Sequence, residues 1–308
     1  MLNDVVTVTE RRSSNQRLIA ATPWIVVAIL TTIVVTTFVA TDNSATNTTP
    51  QYPAHELDNA IGLWVQDYVY PAIWFTLLVL IAVRTRRSRT FSISALLFIA
   101  GTTMFWIEWP ADWGTYLVYN RNLMLFDGWT STWYQTYWKP ISVVWGYGVF
   151  FGAESLILIK VVPALKARLR RIFPSVWETV LLVVSCLFCF YLADILGERL
   201  MTMLGWYTYI EPVGLAWHSA RGSISLVWPA IPFLLFAVII SLTLRADSAG
   251  NYPNEKFFRL HQLTSGWPRE FARLAVWIIT MNIAIFIAQP VILCVGRMLF
   301  LHDSVYVP

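Results

Sequence analysis

The sequence predicts an all-α fold, a polytopic membrane bundle of about seven transmembrane helices with the N-terminus inside the cell and the C-terminus outside. Three observations predict it. Hydrophobic residues make up 57% of the 308 residues and charged residues 13%, a balance too apolar for the surface of a soluble domain. Seven apolar stretches approach the ~20 residues that a helix needs to cross the hydrocarbon core. Lys and Arg gather in every second connection, as they do in cytoplasmic loops.

Each apolar stretch is predicted to be a helix, because a segment inside the bilayer must satisfy its backbone hydrogen bonds internally. Residues 1–22 form a basic cytoplasmic tail, and residues 23–308 form a single transmembrane domain. The first stretch follows three arginines, as a signal peptide does, but its 18 residues favour a retained helix. The predicted spans cover residues 23–40, 62–83, 91–107, 141–161, 176–196, 224–244 and 274–300.

The distribution of Lys and Arg predicts the orientation. The predicted inner segments hold three of them in the tail, four in the next loop, and five in each of the two loops after that, whereas the outer segments hold the remaining five of 22. One helix more or fewer would destroy this alternation. We therefore expect a multi-pass protein of the plasma membrane. Because topology explains the basic residues, no nucleic-acid partner is expected.

Two predicted outer loops are rich in aromatic and acidic residues. They cover residues 108–140 and 197–222, whereas the outer loop over residues 41–59 is polar and rich in Thr and Asn. Long loops in a compact protein are usually functional or form a cap. The two aromatic loops are therefore the first place where a site is expected.

The first candidate site follows the third predicted helix. Pro110 disfavours helical geometry in the residue before it, so the helix is expected to end there and a new one to begin. On the new helix Asp112, Tyr116 and Tyr119 share one face, with Glu108 beside the break. An interfacial aromatic belt explains the same pattern without a site. If there is a site, its candidate substrate-binding side chains are Trp109, Trp113, Tyr116 and Tyr119.

Three further acids lie in or at the end of predicted helices, where charges are expensive and carboxyls are functional candidates. Glu154 lies deep in the fourth helix. Asp194 and Glu198 share a stripe of the fifth helix with Tyr191, near its outer end, where Arg199 or Arg221 is a possible partner. The alternatives are a neutral acid that packs between helices and an ion pair that closes a helix end.

The last helix adds two amide side chains on nearly the same face, Asn282 and Gln289. With Tyr191 and Glu198 they are predicted to bind substrate, and the predicted catalytic carboxyls are Glu108, Asp112, Glu154 and Asp194. No metal or cofactor is expected. The three cysteines lie in apolar stretches, and the sequence lacks His-rich, phosphate-loop and dinucleotide motifs.

The Glu-Trp-Pro-x-Asp-Trp break, the acidic fourth helix and the aromatic outer loops resemble the AveC-like spirocyclase family of macrolide biosynthesis. Residues 105–120 carry the resemblance. It implies a cofactor-independent enzyme that converts a dihydroxy-ketone polyketide or lipid-like substrate into a spiroketal with loss of water. Some relatives also dehydrate their product. No catalytic residue is transferred from the family, and no particular oligomeric state is predicted.

Spiroketal closure needs an acid that protonates the departing hydroxyl and a base that takes the proton of the attacking hydroxyl. It also needs an environment that stabilises an oxocarbenium ion. Burial favours a neutral carboxyl, so one acid can stay protonated beside an ionised neighbour, and aromatic faces can stabilise the cation. We expect Glu154 or Glu108 to be the acid, and Asp112 or Asp194 the base or cation stabiliser.

Two rival functions use the same residues. An integral-membrane terpene cyclase or isomerase also needs buried carboxyls and aromatic walls, but its product has the mass of its substrate. A protein that binds or transports lipids or small molecules forms no new product. Release of water therefore separates the three hypotheses.

Overall fold

The computed structural model describes residues 2–40, 59–126, 140–228 and 230–304, and the described chain is mostly helical. The helices are α1 (Leu2–Ala40), α2 (Ala60–Trp64), α3 (Tyr70–Ser88), α4 (Ile93–Thr102), α5 (Glu108–Thr115), α6 (Val143–Leu156), α7 (Val162–Ile172), α8 (Glu178–Met203), α9 (Ala230–Thr243), α10 (Pro253–Phe257), α11 (Trp267–Phe286) and α12 (Ile292–Phe300). The strands are β1 (Leu117–Tyr119), β2 (Tyr207–Tyr209), β3 (Ala216–Ser219) and β4 (Gly222–Ser225).

Five stretches of the described chain are long and apolar enough to cross a membrane: Ser14–Thr36, Ala60–Ser88, Val143–Ile172, Glu178–Met203 and Trp267–Phe300. A sixth is formed by Ile93–Thr102 and Phe105–Thr115 if these helices, bent by 41°, count as one span. Only 6% of the most apolar window of Ala60–Ser88 is buried inside the protein, as expected of a helix surrounded by lipid. By helix length and composition, this is a membrane protein.

Each of the seven predicted stretches contains a helix, but one prediction needs correction. The sixth stretch, residues 224–244, begins with strand residues of β4, so that α9 has only 14 residues. Helix α1 begins at Leu2, so the predicted tail over residues 1–22 is continuous with the first predicted span. The predicted polar loop lies outside the described residues except for Asn59, as do residues 127–139 of the first aromatic loop.

Three long helices contain a π-helical turn next to a proline. Proline has no amide hydrogen, and its ring crowds the carbonyl four residues earlier, which a widened turn accommodates. Two of the turns contain an amide side chain, Gln66 in the first and Gln289 in the third. The turns are Val65–Val69, Ile157–Val161 and Ile287–Val291, and the prolines are Pro71, Pro163 and Pro290.

The main apolar core lies where five helices meet. Its fully or nearly fully buried side chains include Leu97 of α4, Phe151 of α6, Phe190 of α8, Phe236 of α9 and Trp277 of α11. Interior positions of this kind hold the helices in fixed relative positions. The helices therefore form a rigid frame for the polar residues near their ends.

The two aromatic loops meet through a pair of short antiparallel strands. In this pair Leu117 of β1 lies opposite Tyr209 of β2, and Tyr119 lies opposite Tyr207. Just beyond it, the amide N–H of Asn120 donates to the carbonyl of Trp206 at 2.8 Å. A second hairpin pairs β3 with β4. The described parts of the two loops therefore form one layer at the end of the bundle.

The helix predicted after the third span is shorter than expected. It ends at Thr115, because Tyr116 adopts the left-handed conformation with φ 58°, and Tyr119 belongs to β1. The predicted face shared by Asp112, Tyr116 and Tyr119 is therefore wrong. Pro110 is the third residue of α5, where helical amides lack partners in any case.

Candidate functional site

A cavity of about 140 Å³ lies among the acidic side chains that the sequence singled out. A cavity of ~150 Å³ takes one benzene ring, so this one has room for about one six-membered ring. Its wall comes from helices, strands and two of the π-helical turns. The polar lining side chains include Gln66, Tyr70, Glu108, Asp112, Tyr119, Tyr147, Asp194, Glu198, Tyr207, Tyr209 and Gln289, and Phe150, Phe151 and Phe233 supply aromatic surface.

Two tyrosines hold the carboxyl of Glu108. The hydroxyl of Tyr119 in β1 donates to Oε1, and the hydroxyl of Tyr147 in α6 donates to Oε2. Each carboxylate oxygen can accept more than one hydrogen bond, so both retain capacity toward the cavity. Glu108 is therefore a carboxyl fixed in orientation, as acid–base catalysis requires.

Asp194 and Glu198 lie one helical turn apart on α8, and both line the cavity. Tyr209 donates to Oε1 of Glu198 at 2.6 Å. Oδ2 of Asp194 and Oε2 of Glu198 are buried and accept no hydrogen bond from the described residues. Arg199 is not their partner, since it donates to Ser219 at 2.9 Å and lies 4.8 Å from the ring centre of Trp217. These two acids therefore have free acceptor capacity in the cavity.

Glu154 lies outside the cavity lining, about two helical turns after Tyr147 on α6. It is buried, and neither carboxyl oxygen has a hydrogen-bond partner among the described residues. It interacts electrostatically with Asp194. Burial of a polar group without a partner is unfavourable, and a residue that is kept in spite of this cost is a functional candidate. Glu154 is therefore still a candidate, although it lies outside the cavity lining.

The strand tyrosines are neutral donors. Burial, followed by the charge of Glu108, raises the pKa of Tyr119 well above its ordinary value of about 10. Burial and the charge of Glu198 do the same to the pKa of Tyr207 and Tyr209. Among the described lining residues there is no Lys, Arg or His. The cavity therefore favours a neutral or cationic guest over an anion.

Four predicted substrate-binding aromatic residues lie outside the lining. Trp109 is buried against Phe105 and Phe126, with ring centres 6.1 Å away in each case. Trp113 and Tyr116 lie against the guanidinium carbon of Arg297, each with its ring centre 4.2 Å away. The hydroxyl of Tyr191 donates at 3.0 Å to the carbonyl of Leu226.

The two amide side chains predicted on one face of the last helix lie in different environments. Asn282 accepts from Trp106 Nε1 and donates to Thr103 Oγ1, both at 2.8 Å, which ties α11 to the end of α4. Gln289 lines the cavity. Gln289 lies inside the π-helical turn Ile287–Val291, and the widened turn changes the direction of its side chain relative to the face of Asn282.

Several cavity residues were missed in the sequence although weak signals exist. Tyr147 precedes Glu154 by seven residues, so the two share a helix face. Tyr207 and Tyr209 alternate with Thr208, a period of two that is typical of a strand. Gln66 is a polar residue inside an apolar stretch. None of these patterns is strong in so short a segment.

Comparison of the chain with protein-family models, curated proteins and solved structures yields no match. Within the described residues, no group of three or more His, Cys, Asp or Glu side chains is placed to hold a metal ion. The acidic side chains therefore line the cavity without converging on one point inside it. Proton donation and acceptance are the chemistry that such an arrangement supports best.

Proposed function

We propose that the chain is a plasma-membrane enzyme that closes a spiroketal in a hydrophobic dihydroxy-ketone, polyketide or lipid-like, with release of one water. The observation that carries this proposal is that Glu108, held by two tyrosine hydroxyls, lines the same small cavity as Asp194 and Glu198. Separately placed carboxyls around a partly aromatic space suit acid–base catalysis on a neutral substrate. The resemblance of residues 105–120 to AveC-like spirocyclases supplies the particular reaction.

The reaction balances with carboxyls alone. One substrate hydroxyl adds to the ketone and gives a cyclic hemiketal. A neutral carboxyl then protonates the hemiketal hydroxyl, the C–O bond breaks, and water leaves an oxocarbenium ion. The second hydroxyl attacks the same carbon and forms the second ring, while a carboxylate takes its proton. The enzyme ends with as many protons as it began with.

The geometry suggests a role for each group. Glu108 accepts two hydrogen bonds and suits the base. Asp194, whose Oδ2 accepts none from the described residues, suits the acid. This proposal reverses the roles of Glu108 and Asp194 that we expected from the sequence. The rings of Phe151 and Phe233 line the cavity and can face the oxocarbenium ion. Since the cavity takes about one ring, a longer substrate must place only its reacting carbons there.

The proposal includes seven spans with the N-terminus inside, so that α9 crosses the membrane as well. Support comes from the alternation of Lys and Arg between the apolar stretches. In this orientation the cavity lies toward the outer ends of α6 and α8. A hydrophobic substrate then reaches it from the bilayer or the outer face.

The test compares host cells that carry the wild-type gene, a deletion, Glu108→Gln and Glu178→Gln. Glu178 is the matched control, because it lies on α8 and its exposed carboxyl pairs with Lys166 at 2.6 Å, outside the cavity lining. We expect the deletion and Glu108→Gln to accumulate a species one water heavier than the missing product in mass spectra of lipid extracts. The purified variant should turn over about 10²- to 10⁴-fold more slowly. Wild-type turnover by a folded Glu108→Gln protein would refute the assignment.

One observation favours a second candidate, proton-coupled transport. Glu154 interacts with Asp194 from outside the cavity, and its carboxyl has no hydrogen-bond partner in the described chain. Chains of intramembrane acids serve as proton relays in transporters. This candidate predicts substrate-dependent proton movement across sealed vesicles and no new product, whereas a terpene cyclase or isomerase predicts a product of unchanged mass.

A further inference from the structure

A second, larger cavity of about 790 Å³ lies between the C-terminal half of α3, residues Phe91 and Ile99 just before and within α4, and the start of α11. We call it the α3–α4 groove. Leu78, Ile81 and Ile99 are part of its apolar lining, and Arg86 and Arg89 line it as well. Along α3, residues 78 to 89 extend about 16 Å. The groove therefore has an apolar part of acyl-chain dimensions and a basic end.

The basic end has unused hydrogen-bond donors. The side chains of Arg86 and Arg89 form no ion pair or hydrogen bond with another of the described residues. Thr85 also lines the groove and is buried, and its hydroxyl is a further polar group at this end. Three donors at one end of a groove match the oxygens of a phosphate.

The aromatic residues around the groove place its basic end at the membrane boundary. Trp267 lines the groove, is 39% exposed, and lies edge to face with Phe91 at 6.4 Å between ring centres. Tryptophan is enriched where the bilayer meets water. We therefore expect the basic end at the level of the lipid headgroups and the apolar part at the level of the acyl chains.

We propose that the α3–α4 groove binds an anionic glycerophospholipid, with its phosphate on Arg86 and Arg89 and an acyl chain along Leu78 and Ile81. Basic pockets between transmembrane helices recognise acidic headgroups in this way. A free phosphate makes no contact with the apolar part, and in a zwitterionic lipid the ammonium group next to the phosphate is repelled by the two guanidinium groups. This site is separate from the cavity at Glu108 and does not depend on the reaction proposed there.

The test uses the purified, delipidated full-length protein in detergent, titrated with phosphatidylglycerol or phosphatidylcholine and followed by native mass spectrometry. The double variant Arg86→Gln/Arg89→Gln removes the groove charges. Its control, Arg84→Gln/Arg87→Gln, removes as many charges from the same helix end without touching the lining. We expect the groove variant to bind phosphatidylglycerol roughly 30-fold more weakly and the control to bind as the wild type does. Binding of phosphatidylcholine should be unchanged in both.

A second variant tests the apolar part. Ala82 lines the groove and faces outward, so Ala82→Phe fills space without disturbing the core. We expect it to weaken phosphatidylglycerol binding while all four arginines remain. Three outcomes overturn the proposal. The first is that the two double variants lose phosphatidylglycerol affinity equally. The second is that the wild type binds both lipids equally. The third is that inorganic phosphate competes as effectively as the lipid does.

Discussion

At the scale of single residues, tyrosine hydroxyls orient the cavity carboxyls. Tyr119 and Tyr147 donate to Glu108, and Tyr209 donates to Glu198. A hydrogen bond to a charged group contributes about 1.5–3 kcal/mol, and a buried group that loses its partner is destabilised by a similar amount. Each of these hydroxyls should therefore affect turnover without contacting the reacting atoms.

Tyr147→Phe removes one hydroxyl and keeps the ring. If the 1.5–3 kcal/mol of such a bond is expressed in the transition state, kcat should fall roughly 10- to 150-fold. Tyr70→Phe is the control, because Tyr70 also lines the cavity but donates to no described residue. Steady-state kinetics on the purified variants measure both. Equal kcat values for the two variants would contradict the orienting role of Tyr147.

The raised pKa of Tyr209 predicts how stability depends on alkaline pH. The folded chain holds this proton more tightly than the unfolded chain, because of burial and the charge of Glu198. The stabilisation that Tyr209 provides is therefore fully present below about pH 10, and it is lost as the pH rises above that value. Tyr209→Phe should flatten this alkaline loss, measured by denaturant unfolding in detergent.

At the scale of elements, a buried ion network joins α10, α11 and the chain before α4. Nε of Arg273 donates to Glu255 at 3.0 Å and Nη1 to Glu270 at 2.9 Å. Glu270 also accepts from the backbone N–H of Phe91 at 2.8 Å, and Glu255 accepts from Trp277 Nε1 at 3.1 Å. The single guanidinium therefore pairs with two carboxyls, and each carboxyl also accepts a hydrogen bond from a further residue.

Arg273→Met leaves these two buried carboxyls without their counter-ion. Removal of one partner from a buried ion pair destabilises by about 3–5 kcal/mol. Lys256→Met is the control, because the Lys256–Asp247 pair at 3.1 Å has a half-exposed lysine and contributes up to about 1 kcal/mol. Denaturant unfolding in detergent measures the free energy of unfolding of both variants. A loss for Arg273→Met no larger than that for Lys256→Met would show that the network does not stabilise the fold.

At the scale of the whole molecule, α9 decides the topology. Its 14 residues extend about 21 Å, less than the ~30 Å hydrocarbon core. Residues 226–228, close to its start, are non-helical, and other parts of the protein cover Trp228. Trp228 donates to the carbonyl of Gly114 at 2.9 Å and packs against Gly296. Irregular backbone at membrane depth is tolerated where protein surrounds it.

Single cysteines on either side of α9 test whether it crosses. In a background without Cys186, Cys189 and Cys294, Ala220→Cys should react with a membrane-impermeant maleimide in intact cells. Ser248→Cys should react only after permeabilisation, because we expect it in the cytoplasm. Reaction of both in intact cells would mean that α9 does not cross, and the reverse pattern would mean that the orientation is inverted.

The positions of the helices and several cavity residues could be predicted from the sequence. Asp194 and Glu198 share a helix stripe in both the prediction and the structure, since their spacing lies within one regular helix. Tyr116 and Tyr119 were misplaced, because the helix that was to carry them ends at Thr115. Local periodicity extends only as far as the element that produces it.

The sequence by itself determined the helical membrane fold, because apolar length and charge are properties of each segment alone. The tertiary structure alone decided which acids and hydroxyls share a cavity. Tyr119 meets Tyr207 through a strand pair of three residues on each side, too short to have a recognisable pattern. Gln289 turns to the cavity through a π-helical turn. Both depend on contacts between segments far apart in the chain, which no local pattern records.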